Sequence, residues 1–245
     1  MSTEPKLEIN PHAEVSIIDL NESTQCAVID DFLINPRELI DFAREQRSEF
    51  QLQERAYPGL VLSVSENMTA AMKSFIQSQL SRRFQFCRGG MDLYGQLSMT
   101  TLQPENFTWI QRLCHTDPRL NNGRRNFAAL LYLFDNTELG GTGFYRWKNP
   151  EFWTEMTTVQ AQDPEAGLDL LKQKYQMFRD PPCYMTESNE AADLVQHVEA
   201  RFNRLIFYTG EIPHNAYIQN PERLSDNPET GRLTLNCFAS VIPKN

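Results

Sequence analysis

The stretch FTWIQRLCHTD, residues 107–117, carries the pattern on which the expected fold depends. Its aromatic and aliphatic residues are typical of a β-strand, and it ends in a His-x-Asp triplet. Side chains two residues apart point to the same face of a strand, so His115 and Asp117 can aim at one point. The triplet is either half of a metal site or a hydrogen-bonded turn, because polar residues commonly shape turns.

Strand-like segments of the same kind recur along the chain, separated by turn signals. They are FQFCRGGMDLYGQLSMTTLQ (84–103), RNFAALLYLF (125–134), GTGFYRWK (141–148), RLIFYTG (204–210), HNAYIQ (214–219) and RLTLNCFASVI (232–242). Many strands with turns at short intervals are typical of a β-sandwich or a barrel. The sequence therefore predicts an α+β, mainly β fold.

Other segments predict helices. NPRELIDFAREQ (35–46) has proline at its first helical position, and MTAAMKSFIQSQLSRRF (68–84) has apolar residues at helical spacing. Residues 150–203, which include His197, are more polar and predict a helical insertion. We expect a single domain over 1–245, divided into α/β support over 1–84, a β core over 85–242 and the insertion over 150–203.

Composition and charge restrict the function classes. Of 245 residues, 40% are hydrophobic, which suffices for a core, and the net charge of −9 argues against a nucleic-acid binder. No apolar run reaches the roughly 18 residues of a transmembrane helix, and the polar N-terminal sequence lacks a signal-peptide pattern. Five widely spaced cysteines without a CxxC pair fit a reducing compartment. We expect a cytoplasmic protein that binds neither nucleic acid nor membranes.

The chain has four histidines, and their positions limit which of them can complete a metal site. His12 lies in a polar N-terminal segment and His197 in a predicted amphipathic helix, which leaves His214, at the start of a predicted strand. Together with His115 and Asp117 it would give two imidazoles and one carboxylate. Such a set leaves positions open on Fe(II) for a co-substrate and O2.

A second pair of polar residues lies on the last predicted strand. Arg232 and Thr234 are two apart and face one way, and a guanidinium beside a hydroxyl is a good receptor for a carboxylate. The alternative is an arginine at a strand edge, in water. Asn236 extends the same face and is either a substrate contact or polar filler of the core.

These features together resemble a known family. HTD at 115–117, the histidine of IPHNAY at 214 and GRLTL at 231–235 resemble the signature of Fe(II)/2-oxoglutarate-dependent dioxygenases, in particular bacterial-type members of the prolyl-hydroxylase-like branch. LLYLFDNTELGGTGFYR (130–146) is similar to the middle stretch of that branch, with an apolar strand, an acidic turn and a Gly-Gly pair. The resemblance covers residues 85–242 and keeps the order of the four elements.

The resemblance implies a double-stranded β-helix, or jelly roll, braced by the N-terminal helices. It implies that His115, Asp117 and His214 are the catalytic residues and bind Fe(II). It further implies that 2-oxoglutarate chelates the iron and pairs through its distal carboxylate with Arg232 and Thr234, while O2 takes the last position. Decarboxylation of 2-oxoglutarate to succinate would accompany hydroxylation of the substrate.

Two departures from the family's pattern concern the arginine and the insertion. Arg232 follows His214 at a longer spacing than usual, and Arg223 lies near the usual spacing. Arg232 is preferred because Thr234 accompanies it on a clear strand. The insertion has no counterpart in the pattern. Tyr132 is a further candidate contact to 2-oxoglutarate, although a tyrosine in a β core usually packs its ring and bonds to the backbone.

The function predicted on this basis is hydroxylation of an amino acid, a peptide or a small metabolite. The alternative is a catalytically silent jelly-roll or cupin-like protein that binds a metal or a ligand. A cupin-like zinc or manganese enzyme is disfavoured by the few histidines. A serine or cysteine hydrolase is disfavoured because no GxSxG motif occurs and Cys114 would point away from His115. The substrate and a possible homodimer stay open.

Overall fold

The computed structural model describes residues 3–53, 57–118 and 122–244. Over these residues the chain is mostly β, with eleven strands and four α-helices. The strands are β1 (Val15–Asp19), β2 (Gln25–Ile29), β3 (Gln51–Leu52), β4 (Gly59–Val64), β5 (Asp92–Thr100), β6 (Arg125–Tyr132), β7 (Gly141–Trp147), β8 (Ala192–Val198), β9 (Leu205–Thr209), β10 (His214–Tyr217) and β11 (Arg232–Val241). The helices are α1 (Pro36–Glu45), α2 (Glu66–Phe75), α3 (Pro150–Gln162) and α4 (Pro164–Lys174).

The strands form two antiparallel sheets. The large sheet has eight strands in the order β1-β2-β9-β6-β11-β5-β4-β3, and the small sheet has three in the order β10-β7-β8. The mainly β prediction is confirmed, and the two sheets are compatible with a jelly roll. No helix of the described segments has the length and apolar character that a membrane crossing needs.

The two faces of the large sheet have different partners. On β11, Leu233 and Leu235 join the largest apolar core, where Leu39 of α1 and Met72 of α2 also lie. The opposite face, which we call the inner face, carries the alternate residues from Arg232 onward. Through residues such as Tyr132 of β6 it packs against the small sheet. Residues with a period of two thus divide between a helix-covered core and the inner face, where a second apolar cluster and the buried polar residues Arg232 and Thr234 lie.

Two local predictions are wrong. The segment 107–117 is not one strand, because Trp109–Arg112 form a 3-10 turn, closed where the Gln111 side chain accepts a hydrogen bond from the Thr108 amide at 2.9 Å. The insertion over 150–203 is helical in α3, in α4 and in the short 3-10 helix Gln176–Phe178, but not throughout. Its last part, with His197, forms β8, because pairing along the edge of β7 overrides the local helical pattern.

Candidate metal centre

Backbone pairing holds the His-x-Asp triplet beside the start of β10. His115 and His214 exchange two backbone hydrogen bonds, 2.9 Å from the His115 amide and 2.8 Å from the His214 amide. Two residues further on, the Asp117 amide donates to the Gly210 carbonyl at 2.8 Å, and the Gly210 amide donates to the Asn126 carbonyl at 3.0 Å. The triplet is therefore fixed to β10 on one side and to the start of β6 on the other.

The structure brings His115, Asp117 and His214 together. One possible ligand atom from each lies within 4.8 Å of the other two. The two imidazole rings have centroids 4.6 Å apart, and His214 Nε2 lies 3.9 Å from Asp117 Oδ1. His12 and His197 are not part of this group. The arrangement can offer two nitrogens and one carboxylate oxygen to a single cation.

Two details of the hydrogen bonding fit a metal at this point. His214 Nδ1 lies 2.8 Å from the Ile212 carbonyl, so this nitrogen is the donor and Nε2 keeps its lone pair for a ligand. Asp117 Oδ2 is buried and has no hydrogen-bond partner among the residues that the structure describes. A buried carboxylate oxygen without a partner is costly, and a divalent cation would satisfy it.

Burial sets the protonation of the three side chains. It lowers the pKa of His115 to about 3, with a further contribution from His214, and it lowers the pKa of His214 to about 4. Burial also raises the pKa of Asp117, which the neighbouring His115 partly opposes. Both imidazoles are therefore neutral at neutral pH, as metal ligation requires.

Gly210 has a role in this centre that sequence reasoning did not identify. A Cβ atom at this position would lie 2.3 Å from Asp117 Oδ2 and 2.8 Å from Asp117 Cβ. The absence of a side chain therefore leaves the space that the Asp117 carboxylate occupies. A glycine at the end of a strand, four residues before the candidate ligand His214, was the available signal.

Tyr208 of β9 is a second neighbour that was not predicted. Its ring meets the His214 ring edge-on at a centroid distance of 4.9 Å and the Phe144 ring at 4.8 Å. Burial raises its pKa well above the ordinary value, and the charge of Asp117 adds to the effect. Strand alternation in RLIFYTG, which places Tyr208 on the same face as Ile206, was the signal for it.

A buried arginine lies elsewhere on the inner face. Arg232 is 2% exposed, and it donates from Nε to the Leu139 carbonyl (3.1 Å), from one terminal nitrogen to Thr100 Oγ1 (3.2 Å) and from the other to the Gly141 carbonyl (2.7 Å). No ion pair within the described parts of the chain includes Arg232. Three of its five N–H groups are used, so a buried cation keeps donors for an anion.

Hydroxyl groups surround this guanidinium. Tyr57 shares a hydrogen bond of 3.0 Å with Thr100 Oγ1, and Thr234 Oγ1 donates to the Ser98 carbonyl at 3.4 Å. Ser98 Oγ is buried without a partner among the described residues. Burial raises the pKa of Tyr57, and the Arg232 charge opposes the rise. Tyr57 was not predicted, because it comes from the distant turn before β4.

The other two candidates have different surroundings. Tyr132 is fully buried and shares a hydrogen bond of 2.7 Å with Thr142 Oγ1 on the small sheet. Burial raises its pKa to about 12, against the charge of Arg232, so Tyr132 lies near the guanidinium. Arg223 is half exposed and pairs with Glu138 at 2.7 Å on the surface. Of the two candidate arginines, only Arg232 is buried.

Solved structures with a similar chain path have low sequence identity. A prolyl-4-hydroxylase of Pseudomonas putida has 13% identity and a TM-score of 0.45, with 91% of this chain and 94% of that chain covered. Apo HygX from Streptomyces hygroscopicus has 11% identity and a TM-score of 0.46, with 90% and 83% covered. EvdO2 from Micromonospora carbonacea var. aurantiaca has 9% identity and a TM-score of 0.43, with 94% and 93% covered.

Sequence comparison gives a family. No curated protein matches the chain by sequence. The model of one protein family, described as a family of unknown function (DUF6445), matches residues 11–239. This match includes both the candidate metal ligands and Arg232. Because it spans far more than half of the sequence, the chain belongs to the DUF6445 family.

Proposed function

We propose that this protein is an Fe(II)- and 2-oxoglutarate-dependent oxygenase, built on a double-stranded β-helix, that hydroxylates an amino acid, a peptide or a small metabolite. One observation carries the proposal. A group of two histidines and an aspartate, with ligand atoms within 4.8 Å of one another, shares a fold with a buried arginine that has no anionic partner among the described residues. A metal centre and an anion receptor are the two parts that this chemistry needs.

The metal would be held by His115, His214 and Asp117. Two imidazoles and one carboxylate form the ligand set of non-haem Fe(II) oxygenases, which leaves positions for other groups. When bound, Fe(II) and 2-oxoglutarate supply an oxidation in which the co-substrate loses CO2 and becomes succinate, and one oxygen atom of O2 enters the substrate. His214 is held for this role by its hydrogen bond to Ile212, which fixes the tautomer with a free Nε2.

The distal carboxylate of 2-oxoglutarate would bind Arg232. The remaining N–H donors of the guanidinium can take a carboxylate bidentately, with the Tyr57 hydroxyl as a further donor. The Thr234 hydroxyl would join them on release from the Ser98 carbonyl. Because the receptor is buried, its charge acts at low dielectric and selects an anion strongly. Tyr132 would support the receptor through its bond to Thr142 rather than by direct contact.

The strand register links the receptor to the metal centre. Thr234 is directly opposite Tyr132, whose hydroxyl meets Thr142. On β7, Thr142 is two residues from Phe144, which lies directly opposite His214 on β10. The chain of contacts from receptor to triad is therefore short, and it supports one ligand that spans both.

The test is an anaerobic titration of the Fe(II)-loaded protein with 2-oxoglutarate, followed by the visible charge-transfer band of the chelate. We expect a band that is absent in Asp117→Ala and that needs far more 2-oxoglutarate in Arg232→Ala. Arg223→Ala, which removes a surface arginine, is the matched control and should behave as the parent protein. Bound iron without a band would favour a cupin-like metal protein, and no bound iron would favour a silent binding protein.

A further inference from the structure

The inner face of the large sheet continues beyond Arg232 and Thr234 toward the level of the metal centre. Tyr208, Ala128, Phe238 and Tyr94 lie directly opposite one another across β9, β6, β11 and β5. Tyr208 contacts His214, so this row of four residues starts at the metal centre. Adjacent strands are about 4.8 Å apart, which puts the Phe238 backbone about 10 Å from that of Tyr208. The small side chain of Ala128 lies between them.

The far end of this row is an exposed aromatic surface. The Tyr94 and Phe238 rings are stacked, with centroids 6.3 Å apart and planes 21° from parallel. Tyr94 is 51% exposed and Phe238 is 37% exposed, whereas Tyr132 and Tyr208 on the same face are buried. Two flat apolar surfaces that remain open to solvent beside a buried polar centre are suited to stack on an apolar ring of a ligand.

The adjacent row, on the side of Arg232 and Thr234, carries two amide side chains. Asn236 and Gln96 lie directly opposite each other, and each is 8% exposed. Gln96 Oε1 accepts a hydrogen bond from the Tyr94 hydroxyl at 3.3 Å, which leaves the Gln96 amide nitrogen as a donor. Asn236 Oδ1 is buried and has no partner within the described chain. A buried amide oxygen of this kind is unfavourable unless a ligand donates to it.

The charged pair that lies next to these four residues is neutral as a whole. Asp92 lies two residues before Tyr94 on β5, on the side away from Arg232, and pairs with Arg124 at 2.9 Å. Arg124 also donates to the Ser240 hydroxyl at 2.6 Å, so it is held at the sheet surface. The pair of aromatic rings and the pair of amides therefore present hydrogen-bonding and apolar groups without a net charge.

We propose that Tyr94, Phe238, Gln96 and Asn236 bind the substrate, and that this substrate is a neutral amide that carries an apolar ring. The inference rests on the proposed oxygenase function. The ring would stack on Phe238 and Tyr94, while the amide N–H donates to Asn236 and the amide C=O accepts from Gln96. A substrate bound in this way lies over Ala128, between the aromatic pair and the metal centre.

The test measures binding without turnover. Protein incubated with Zn(II) and 2-oxoglutarate is titrated with N-acetylphenylalaninamide and followed by saturation-transfer NMR. We expect binding that weakens about tenfold or more when all three N–H hydrogens of the probe are replaced by methyl groups, because the bond to Asn236 is lost. We expect a similar loss for N-acetylaspartic acid amide, which has a charge and no ring.

Substitutions of single residues test where the probe binds. Asn236→Ala and Phe238→Ala should each weaken the probe about tenfold, and Tyr94→Phe, which keeps the ring and frees Gln96, should weaken it less. Leu52→Ala removes an exposed apolar side chain from the edge strand β3 and should leave binding unchanged. Equal binding of the acidic probe, or unchanged binding by both alanine variants, would overturn the inference.

The titration with Fe(II) and 2-oxoglutarate separates this inference from the proposed function. Asn236→Ala and Phe238→Ala should give the charge-transfer band of the parent protein, because these residues lie four and six positions from Arg232 on β11 and neither is a proposed metal ligand. A normal band without probe binding would defeat the substrate assignment alone. Probe binding that depends on Asn236, without a band in the parent protein, would defeat the oxygenase function alone.

Discussion

Replacement of Gly210 by alanine tests the metal centre through one added methyl group. The new Cβ would lie 2.3 Å from Asp117 Oδ2, 2.8 Å from Asp117 Cβ and 2.9 Å from Asp117 Cγ. Gly210 does not adopt a positive φ, so alanine is compatible with the backbone and the effect is one of space. The Asp117 side chain cannot retreat freely, because its amide is bonded to the Gly210 carbonyl at 2.8 Å.

The size of the effect follows from these distances. Ordinary contact begins near 3.4 Å, so the carboxylate oxygen has to move by about 1.1 Å. Metal–ligand distances tolerate about 0.2 Å. We therefore expect metal affinity to fall about 100-fold or more, by loss of Asp117 as a ligand. Overpacking of the same contact should cost the fold about 1–3 kcal/mol, which a domain of this size tolerates.

The assay is a titration with Co(II), whose visible absorption reports the ligand set, together with thermal unfolding. Gly89→Ala is the matched control, because a Cβ at Gly89 meets nothing within 4 Å. We expect Gly210→Ala to remain folded, with a changed or absent Co(II) spectrum, and Gly89→Ala to match the parent protein. A Gly210→Ala variant that binds Co(II) with the parent's spectrum and affinity would refute the assignment of Asp117 as a ligand.

Three further predictions concern the charges of the site. Arg232→Lys keeps the charge but loses the fork of donors, so the charge-transfer titration should need about 10-fold to 100-fold more 2-oxoglutarate, and the Arg223→Lys control should need no more than the parent. Stability of the metal-free protein, measured by urea unfolding, should fall by up to about 2 kcal/mol between pH 6.5 and pH 5.5. Burial lowers the pKa of His115 and of His214, so the unfolded state gains protons first, while the raised pKa of Asp117 acts in the opposite direction and makes about 2 kcal/mol the upper limit. A flat profile in this window would contradict the lowered histidine pKa values. Asp117→Asn should make the metal-free protein more stable, because a buried charge is removed, yet abolish the rise in melting temperature that Zn(II) gives to the parent; a rise of equal size in both would count against metal binding by Asp117.

The sequence predicted the strands whose local pattern agrees with their tertiary partners. In RLTLNCFASVI the alternate residues Leu233 and Leu235 enter the helix-covered core, and Arg232 and Thr234 lie on the inner face. The alternation of apolar and polar residues therefore predicts both the strand and the face on which each residue lies. The helix of NPRELIDFAREQ agrees with α1 for the same reason. Where local preference and packing coincide, pattern alone is sufficient.

Other elements depend on partners that a local pattern does not contain. The turn over Trp109–Arg112 forms because Gln111 bonds back to Thr108, a contact of side chain and backbone that competes with the strand. β8 forms because β7 offers an edge, although its own sequence suggests a helix. Tyr57 reaches the surroundings of the guanidinium from a distant turn, so no spacing pattern along the chain indicated it.

Backbone hydrogen bonds hold the three ligand residues of the candidate metal centre in place, whereas burial makes the charged forms of their side chains unfavourable. Paired amides fix His115 against His214, and the Gly210 carbonyl fixes Asp117, so the ligand positions do not depend on a cation. Within that frame, burial disfavours both the charged imidazoles and the charged carboxylate. Arg232 is also buried, and two of its five N–H groups are unused. A centre that is geometrically complete but electrostatically unsatisfied gains most from a divalent cation at the triad and a carboxylate at the guanidinium, which are the charges that Fe(II) and 2-oxoglutarate bring.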